Sequence, residues 1–74
     1  MTPDWIAVEG SSRIVAEAYD EDLGTIYVRF PDDVEWWYGG CPRSVWEGFT
    51  APGQSRGAYI KDVLDAKPNG RWSG

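Results

Sequence analysis

Residues 25–38, TIYVRFPDDVEWWY, contain two runs of strand-forming residues separated by a turn. Apolar and polar side chains alternate along residues 25–30, which is the period-two pattern of a half-buried strand. Residues 34–38 repeat the alternation, and Pro31-Asp32-Asp33 supplies turn-forming residues. The stretch predicts an antiparallel hairpin. One face would carry Ile26, Val28, Phe30, Val34, Trp36 and Tyr38, and the opposite face Tyr27, Arg29, Glu35 and Trp37.

A third strand is predicted before this hairpin. Residues 11–19, SSRIVAEAY, alternate, and residues 20–24, DEDLG, form a turn in which Gly24 can adopt a positive φ. In strict alternation, Ile14, Ala16 and Ala18 share one face, and Arg13, Val15, Glu17 and Tyr19 share the other. The three runs therefore predict a three-stranded antiparallel meander, with Ile14 in the core.

The periodicity changes to that of a helix after Gly39-Gly40. Pro42 suits the first position of a helix, whose apolar face would carry Val45, Trp46 and Phe49. Ser55 is the predicted N-cap of a second helix, whose apolar stripe is Tyr59, Ile60, Val63 and Leu64.

The complete pattern predicts an α+β fold of the form β-β-β-α-α. A three-stranded sheet needs a cover on one face, and the two helices are the candidates. We therefore expect Trp46 and Phe49 to be buried against Ile26 and Val28. Residues 1–74 form one domain, with residues 1–10 (the leader) before the first strand and residues 68–74 (the tail) expected to be mobile.

The composition limits the chemistry of the chain. One cysteine, Cys41, and no histidine argue against an intramolecular disulfide and against a Cys/His metal site, and no cofactor is expected. No apolar run reaches the length of a membrane span, and Asp4 and Glu9 interrupt any signal peptide, so a cytoplasmic location is expected.

The charge is acidic and unevenly distributed. The formal net charge is −5, with nine acidic and two basic residues in positions 1–40 but three acidic and five basic residues in positions 41–74. An acidic protein is a poor general binder of nucleic acid, because phosphate contacts require clustered Lys and Arg. The excess of basic residues in positions 41–74 nevertheless allows a weakly basic surface on one side of the protein.

Five short pieces occur in order over about residues 8–64: Ser11-Ser12 with Ile14, Tyr19-Asp20, Trp36-Trp37-Tyr38, Pro42 with Val45-Trp46 and Phe49, and Ser55, Gly57 and Tyr59-Ile60-Lys61. Together they resemble the KTSC domain, a family named from a C-terminal segment of some lysyl-tRNA synthetases that also occurs alone in bacterial and phage proteins. The resemblance implies a fold more than an activity, and the synthetase context suggests RNA binding.

An enzyme is not expected. Cys41 has no histidine in the chain to activate it, so a packing role is favoured over nucleophilic catalysis. Residues 20–22 and 32–33 are acidic but lack the ligand spacing of a calcium loop, and Gly39-Gly40 lacks the residues of a phosphate-binding loop.

The favoured function is an interaction module that binds a protein partner or itself. Its candidate site is the sheet face bearing Tyr27, Arg29 and Trp37, because Trp, Tyr and Arg are enriched at binding hot spots. Glu17 and Glu35, expected on this face, would repel phosphates. Whether the leader covers the face through Trp5 and Ile6 remains open.

The alternative is an RNA-binding module. It would stack bases on strand aromatics and contact phosphates through cations of the second half. Its candidate residues are Trp36, Tyr38, Arg43, Arg56 and Lys61.

Overall fold

The computed structural model describes residues 3–73 and confirms the α+β class. Five strands form one antiparallel sheet in chain order, and two helices lie between the fourth and fifth strands. The elements are β1 (Ile6–Ala7), β2 (Ala16–Asp20), β3 (Thr25–Arg29), β4 (Glu35–Tyr38), α1 (Arg43–Phe49), α2 (Arg56–Asp62), a 3-10 turn (Leu64–Ala66) and β5 (Asn69–Arg71). The predicted meander is present as β2–β4, and the sheet is wider than predicted.

The two added strands come from the leader and the tail. β1 pairs with β2, and β5 pairs with β4. The backbone N–H of Trp72 also donates to the carbonyl of Glu35 at 2.9 Å, which continues the pairing beyond β5. The tail, residues 68–74, therefore contains an edge strand. The expected mobility of the tail in solution stays a prediction.

The turn between β2 and β3 requires glycine, as predicted. Gly24 has a φ of +62°, and a Cβ at this position would lie 3.3 Å from the carbonyl oxygen of Cys41. The Asp20 carboxylate accepts a hydrogen bond from the N–H of Leu23 at 3.1 Å. Both features stabilise a tight hairpin.

The two helices are short and begin close to their predicted starts. Pro42, predicted as the first helical residue, occupies the N-cap of α1, so the helix begins one residue later, at Arg43. Ser55 caps α2, where its Oγ accepts a hydrogen bond from the N–H of Ala58 at 3.2 Å. Each helix has seven residues, so its stability depends on packing against the sheet.

The core lies between the helices and one face of the sheet. Phe49 of α1 is completely buried, as predicted, with residues of both helical segments and of the sheet. Trp46, also expected to be buried, is only partly buried, and its ring stacks on that of Tyr19 at a centroid distance of 5.2 Å. The fully buried cluster contains Ile14, Ile26, Val28, Tyr38, Cys41, Phe49, Ile60 and Leu64.

An irregularity at Val15 changes the alternation of the first predicted strand. The N–H of Val15 donates to the carbonyl of Arg29 at 2.8 Å, while Ala16 is the register partner of Arg29. Val15 and Ala16 thus both lie opposite Arg29, which is the arrangement of a β-bulge. Ile14 reaches the core, but the residues after the bulge point to the faces opposite to those expected.

The expected orientation of Glu17 and Tyr19 is therefore wrong. Glu17 is opposite Val28 and Tyr19 is opposite Ile26, so both lie on the face that the helices cover. Ala16 and Ala18 lie on the other face. Because Glu17 points to the helices, it cannot repel phosphates at the face of Tyr27.

Among residues 3–73, no helix has the length and apolar character needed to cross a membrane.

Candidate functional site

The sheet face opposite the helices carries the predicted partner-binding residues, but Tyr27 is not open to solvent. Its side chain is 7% exposed. Trp5 packs against its ring at a centroid distance of 6.5 Å, and Trp72 packs against it at 4.9 Å. Trp5 of the leader and Trp72 of the tail therefore cover this face. Ile6, the other leader residue considered as a cover, does not: it lies opposite Glu17, on the other side of the sheet, and is 54% exposed. We call Trp5, Tyr27, Arg29, Trp37 and Trp72 the aromatic face.

Arg29 holds the leader on this face. Its guanidinium lies 4.5 Å from the centre of the Trp5 ring, a cation–π contact. The same group donates to the Glu35 carboxylate at 2.8 Å. Because Glu35 neutralises Arg29 and Trp5 covers it, Arg29 has little freedom to contact phosphate.

Trp37 packs against the backbone of β5. A Cβ placed on Gly70 would lie 3.0 Å from Nε1 of Trp37, so the ring occupies space that only glycine leaves free. A Cβ placed on Gly39 would lie 3.3 Å from Cζ3 of the same ring. Trp37 is therefore anchored on one side and partly exposed on the other.

The face retains exposed aromatic surface after the leader and tail have packed. Trp5, Trp37 and Trp72 are each partly exposed. Both helices pack against the opposite side of the sheet, with Ile26, Val28 and Tyr38. Trp5, Trp37 and Trp72 therefore form the outer layer of the protein on the sheet face opposite the helices.

An acidic cavity adjoins the aromatic face between the leader and the β2–β3 hairpin. Its volume is about 260 Å³, and its lining is Pro3, Asp4, Tyr19, Asp20, Glu21, Asp22 and Tyr27. Burial, together with the negative charge of Asp20, raises the pKa of the Tyr27 phenol. Among residues 3–73, no group of three or more metal-ligating side chains is placed to hold an ion.

The aromatic candidates for RNA stacking are engaged within the protein. Tyr38 is buried in the core, and desolvation raises its pKa to about 12. Trp36 lies on the helix-covered face, where its Nε1 donates to Oδ1 of Asn69 at 3.0 Å. The buried Tyr38 ring offers no stacking surface of the kind that single-stranded RNA uses, whereas the Trp36 ring is held by Asn69 but stays partly exposed.

Two of the three candidate cations are paired with carboxylates. Arg56 donates two hydrogen bonds to Glu17, at 2.9 and 3.0 Å, and Glu17 itself is buried. Arg43 forms ion pairs with Glu21 and Glu47 at the surface. Lys61 is exposed in the last turn of α2. The geometry gives the RNA alternative less support than the sequence did.

Two residues of the aromatic face were missing from the predicted site. Trp5 was considered only as a cover, and Trp72 was assigned to the tail. Their signal in the sequence was an isolated tryptophan in each terminal segment. An isolated aromatic residue outside any periodic pattern does not say which face it packs on.

Cys41 is a buried residue of the core. Burial raises the pKa of its thiol, so the thiol stays protonated at neutral pH and reacts slowly. The packing role that the sequence favours agrees with this placement.

We expect alkylation of Cys41 by iodoacetamide at pH 7 to be about 100-fold slower in the folded protein than in denaturant, because access requires opening of a core worth a few kcal/mol. Mass spectrometry of timed samples measures the rates. Equal rates would show that Cys41 is accessible. Loss of binding on alkylation, with native near-UV and far-UV spectra, would contradict a purely structural role.

No protein-family model matches the chain, and no curated protein does. Among solved structures, the chain is similar to the crystal structure of a KTSC domain protein from Yersinia pestis, with a TM-score of 0.85 and 22% sequence identity. The match covers 97% of this chain and 100% of that one. The resemblance found in the sequence is therefore confirmed by the structure: this chain has the fold of the KTSC domain.

Proposed function

We propose that the protein is a small non-catalytic interaction module that binds a protein partner through the aromatic face. The observation that carries the proposal is the set of three partly exposed tryptophans, Trp5, Trp37 and Trp72, on a sheet face that no helix covers. Tryptophan supplies large contact area, and leaving it in water forgoes about 25 cal/mol per Å² of apolar surface. A partner would remove this surface from water.

The anchoring of the face supports the same function. Trp37 is fixed against Gly70, and Arg29 is fixed between Trp5 and Glu35. Side chains that are already held in place lose little conformational entropy when a partner binds. A second copy of the chain is the alternative occupant of the face. A measurement of the oligomeric state distinguishes it from a different protein partner.

We expect Trp37→Ala to weaken association at least tenfold while the domain remains folded, because a central tryptophan at an interface contributes about 2 kcal/mol or more. Raising the salt concentration should change the association only mildly, since apolar contacts dominate. Sedimentation over a concentration series measures self-association. Titration with a partner captured from the source cells measures hetero-association.

Leu23→Ala is the matched control, because Leu23 is an apolar residue exposed at the tip of the β2–β3 hairpin. It should leave association unchanged. RNA binding with a steep salt dependence that Lys61→Ala reduces would favour the alternative function. Arg56 is unsuitable for that test, since its removal would also break the contact with Glu17.

A further inference from the structure

The last strand of the sheet, β5, has one edge that no other strand of residues 3–73 covers. The carbonyl of Pro68 and the N–H of Trp72 both bond toward β4, and Gly70 pairs with β4 between them. Alternate residues of an antiparallel strand turn their backbone groups to opposite sides. The N–H and C=O groups of Asn69 and Arg71 therefore point outward, and both residues are exposed.

The aromatic face extends to this edge because Gly70 has no side chain. The Trp37 ring lies against Gly70, with its Nε1 3.0 Å from the position that a Cβ would take. Trp72, two residues after Gly70, lies on the same face and packs on Tyr27. On a strand added beyond β5, a side chain opposite Gly70 would therefore come close to Trp37 and, diagonally, to Trp72.

The side chains along this edge are basic. Asn69 and Arg71 lie opposite residues of β4 that face the helices, and Lys67 precedes the strand by two residues. Neither Lys67 nor Arg71 forms an ion pair within residues 3–73, and this includes Asp65, the acid nearest to them in sequence. Cations at a sheet edge oppose pairing with an identical edge, whereas a strand that carries carboxylates meets opposite charge.

We propose that the β5 edge and the adjoining part of the aromatic face bind an extended protein segment in which an apolar residue lies between two carboxylate residues, Asp or Glu. The segment pairs as an added strand with the outward backbone groups of Asn69 and Arg71. Its apolar side chain lies opposite Gly70, beside Trp37, and its carboxylates meet Arg71 and Lys67. This inference rests on the proposed function and specifies the partner of that face.

The opposite edge of the sheet suits such a segment less well. β1 contains two residues, and Asp4 and Glu9 lie on either side of it in the sequence. The carboxylates of an acidic segment would meet like charge there. The two edges therefore differ in charge, and only the β5 edge complements an acidic strand.

A second copy of the chain is a poorer occupant of the β5 edge. Two copies joined through β5 would bring Lys67 and Arg71 of both chains together. Joining β5 of one copy to β1 of the next, with the same faces aligned, gives parallel pairing, because both edge strands run in the same direction. Such a head-to-tail contact also leaves an open-ended polymer.

The test uses three capped seven-residue peptides and the isotope-labelled full-length protein. In the first, the Glu peptide, glutamates flank a central isoleucine and threonine fills the remaining positions. The Lys peptide has lysine in place of both glutamates, and the Gly peptide has glycine in place of the isoleucine. Each is titrated at low salt, with the amide NMR shifts of residues 36–38 and 69–71 as the readout. A single-stranded uridine hexamer is titrated in parallel.

We expect the Glu peptide to bind about tenfold more tightly than the Lys peptide, a preference that high salt reduces. The Gly peptide should bind about tenfold more weakly than the Glu peptide, because it lacks the apolar contact with Trp37. Nucleic acid has no peptide backbone to pair with the outward groups. Tighter binding of the uridine hexamer, or the absence of saturable shifts at residues 69–71 with the Glu peptide, would overturn the proposal.

Charge reversal on the protein gives an independent test. Arg71→Glu should reverse the preference, so that the Lys peptide binds more tightly than the Glu peptide. Arg13→Glu is the matched control, because it makes the same change of net charge at an exposed residue before β2, three strands away from β5. It should keep the original preference. A preference that Arg71→Glu leaves unchanged, or that both variants change equally, would contradict selection of the peptide by this edge.

The pairing of the backbone is tested by comparing Arg71→Pro with Arg71→Ala. Both variants remove the cation, but only proline removes the outward N–H, and proline is tolerated where that group faces solvent on an edge strand. The proline variant should bind the Glu peptide about threefold more weakly than the alanine variant. Equal affinities would overturn strand addition. Arg71→Glu keeps the proposal testable should Arg71→Pro fail to fold.

The same variants separate this inference from the proposed function. In the association assay described for Trp37→Ala, a loss caused by that variant but by neither Arg71→Glu nor Arg71→Pro would keep the aromatic face as the site and overturn docking at β5. Association that Trp37→Ala leaves unchanged would contradict the proposed function itself.

Discussion

Replacing Phe49 by alanine is expected to lower the free energy of unfolding by about 3–5 kcal/mol, the usual cost of removing a buried aromatic ring. Phe49 is completely buried and contacts the rings of Trp46 and Tyr59. A domain of this size has about 3–5 kcal/mol of net stability, so the variant should be largely unfolded at room temperature. Urea denaturation followed by circular dichroism measures the change.

Two variants of α1 provide the comparison. Ser44→Ala changes an exposed residue of the same helix and should leave the stability nearly unchanged. Trp46→Ala should be destabilising, but less so than Phe49→Ala, because Trp46 is partly exposed and packs at the rim on Tyr19. If Trp46→Ala proved the more damaging change, the core would be centred differently from the arrangement described above.

Replacing Arg56 by alanine is expected to cost about 3–5 kcal/mol, because it leaves the carboxylate of Glu17 buried without its partner. Glu17 is 4% exposed and accepts both of its side-chain hydrogen bonds from Arg56. The guanidinium also lies 5.5 Å from the centre of the Phe49 ring, so packing is lost as well. Equilibrium unfolding at neutral pH gives the value.

A matched control and a double-mutant cycle separate these effects. Arg43→Ala breaks ion pairs whose side chains are more than 60% exposed, and it should change the stability little. Glu17→Ala combined with Arg56→Ala should cost less than the sum of the two single changes, since neither partner is then left unpaired. Additive effects would show that the pair contributes no coupling.

Local patterns in the sequence predict much of the fold. Alternation identifies β3 and β4, helical spacing identifies α1 and α2, and Ser55 and Gly24 mark a cap and a turn. Each of these features depends on residues within a few positions of one another. The resemblance to the KTSC domain is read from the same short pieces and is confirmed at the level of the fold.

The candidate site was predicted less well. The sequence identified the sheet face of Tyr27, Arg29 and Trp37 and named Trp5 as a candidate cover. It did not reveal the contribution of Trp72, nor that both tryptophans bury Tyr27. The partner that the face binds stays a prediction.

The sequence by itself determined the meander, the two helices and the acidic first half, because periodicity and charge are properties of neighbouring residues. Only the tertiary structure decided the bulge at Val15, the pairing of Glu17 with Arg56 and the position of the leader and tail. Glu17 and Arg56 are 39 residues apart, and one extra residue in a strand reverses every later side chain. Such features depend on which distant segments meet, and no local pattern records that.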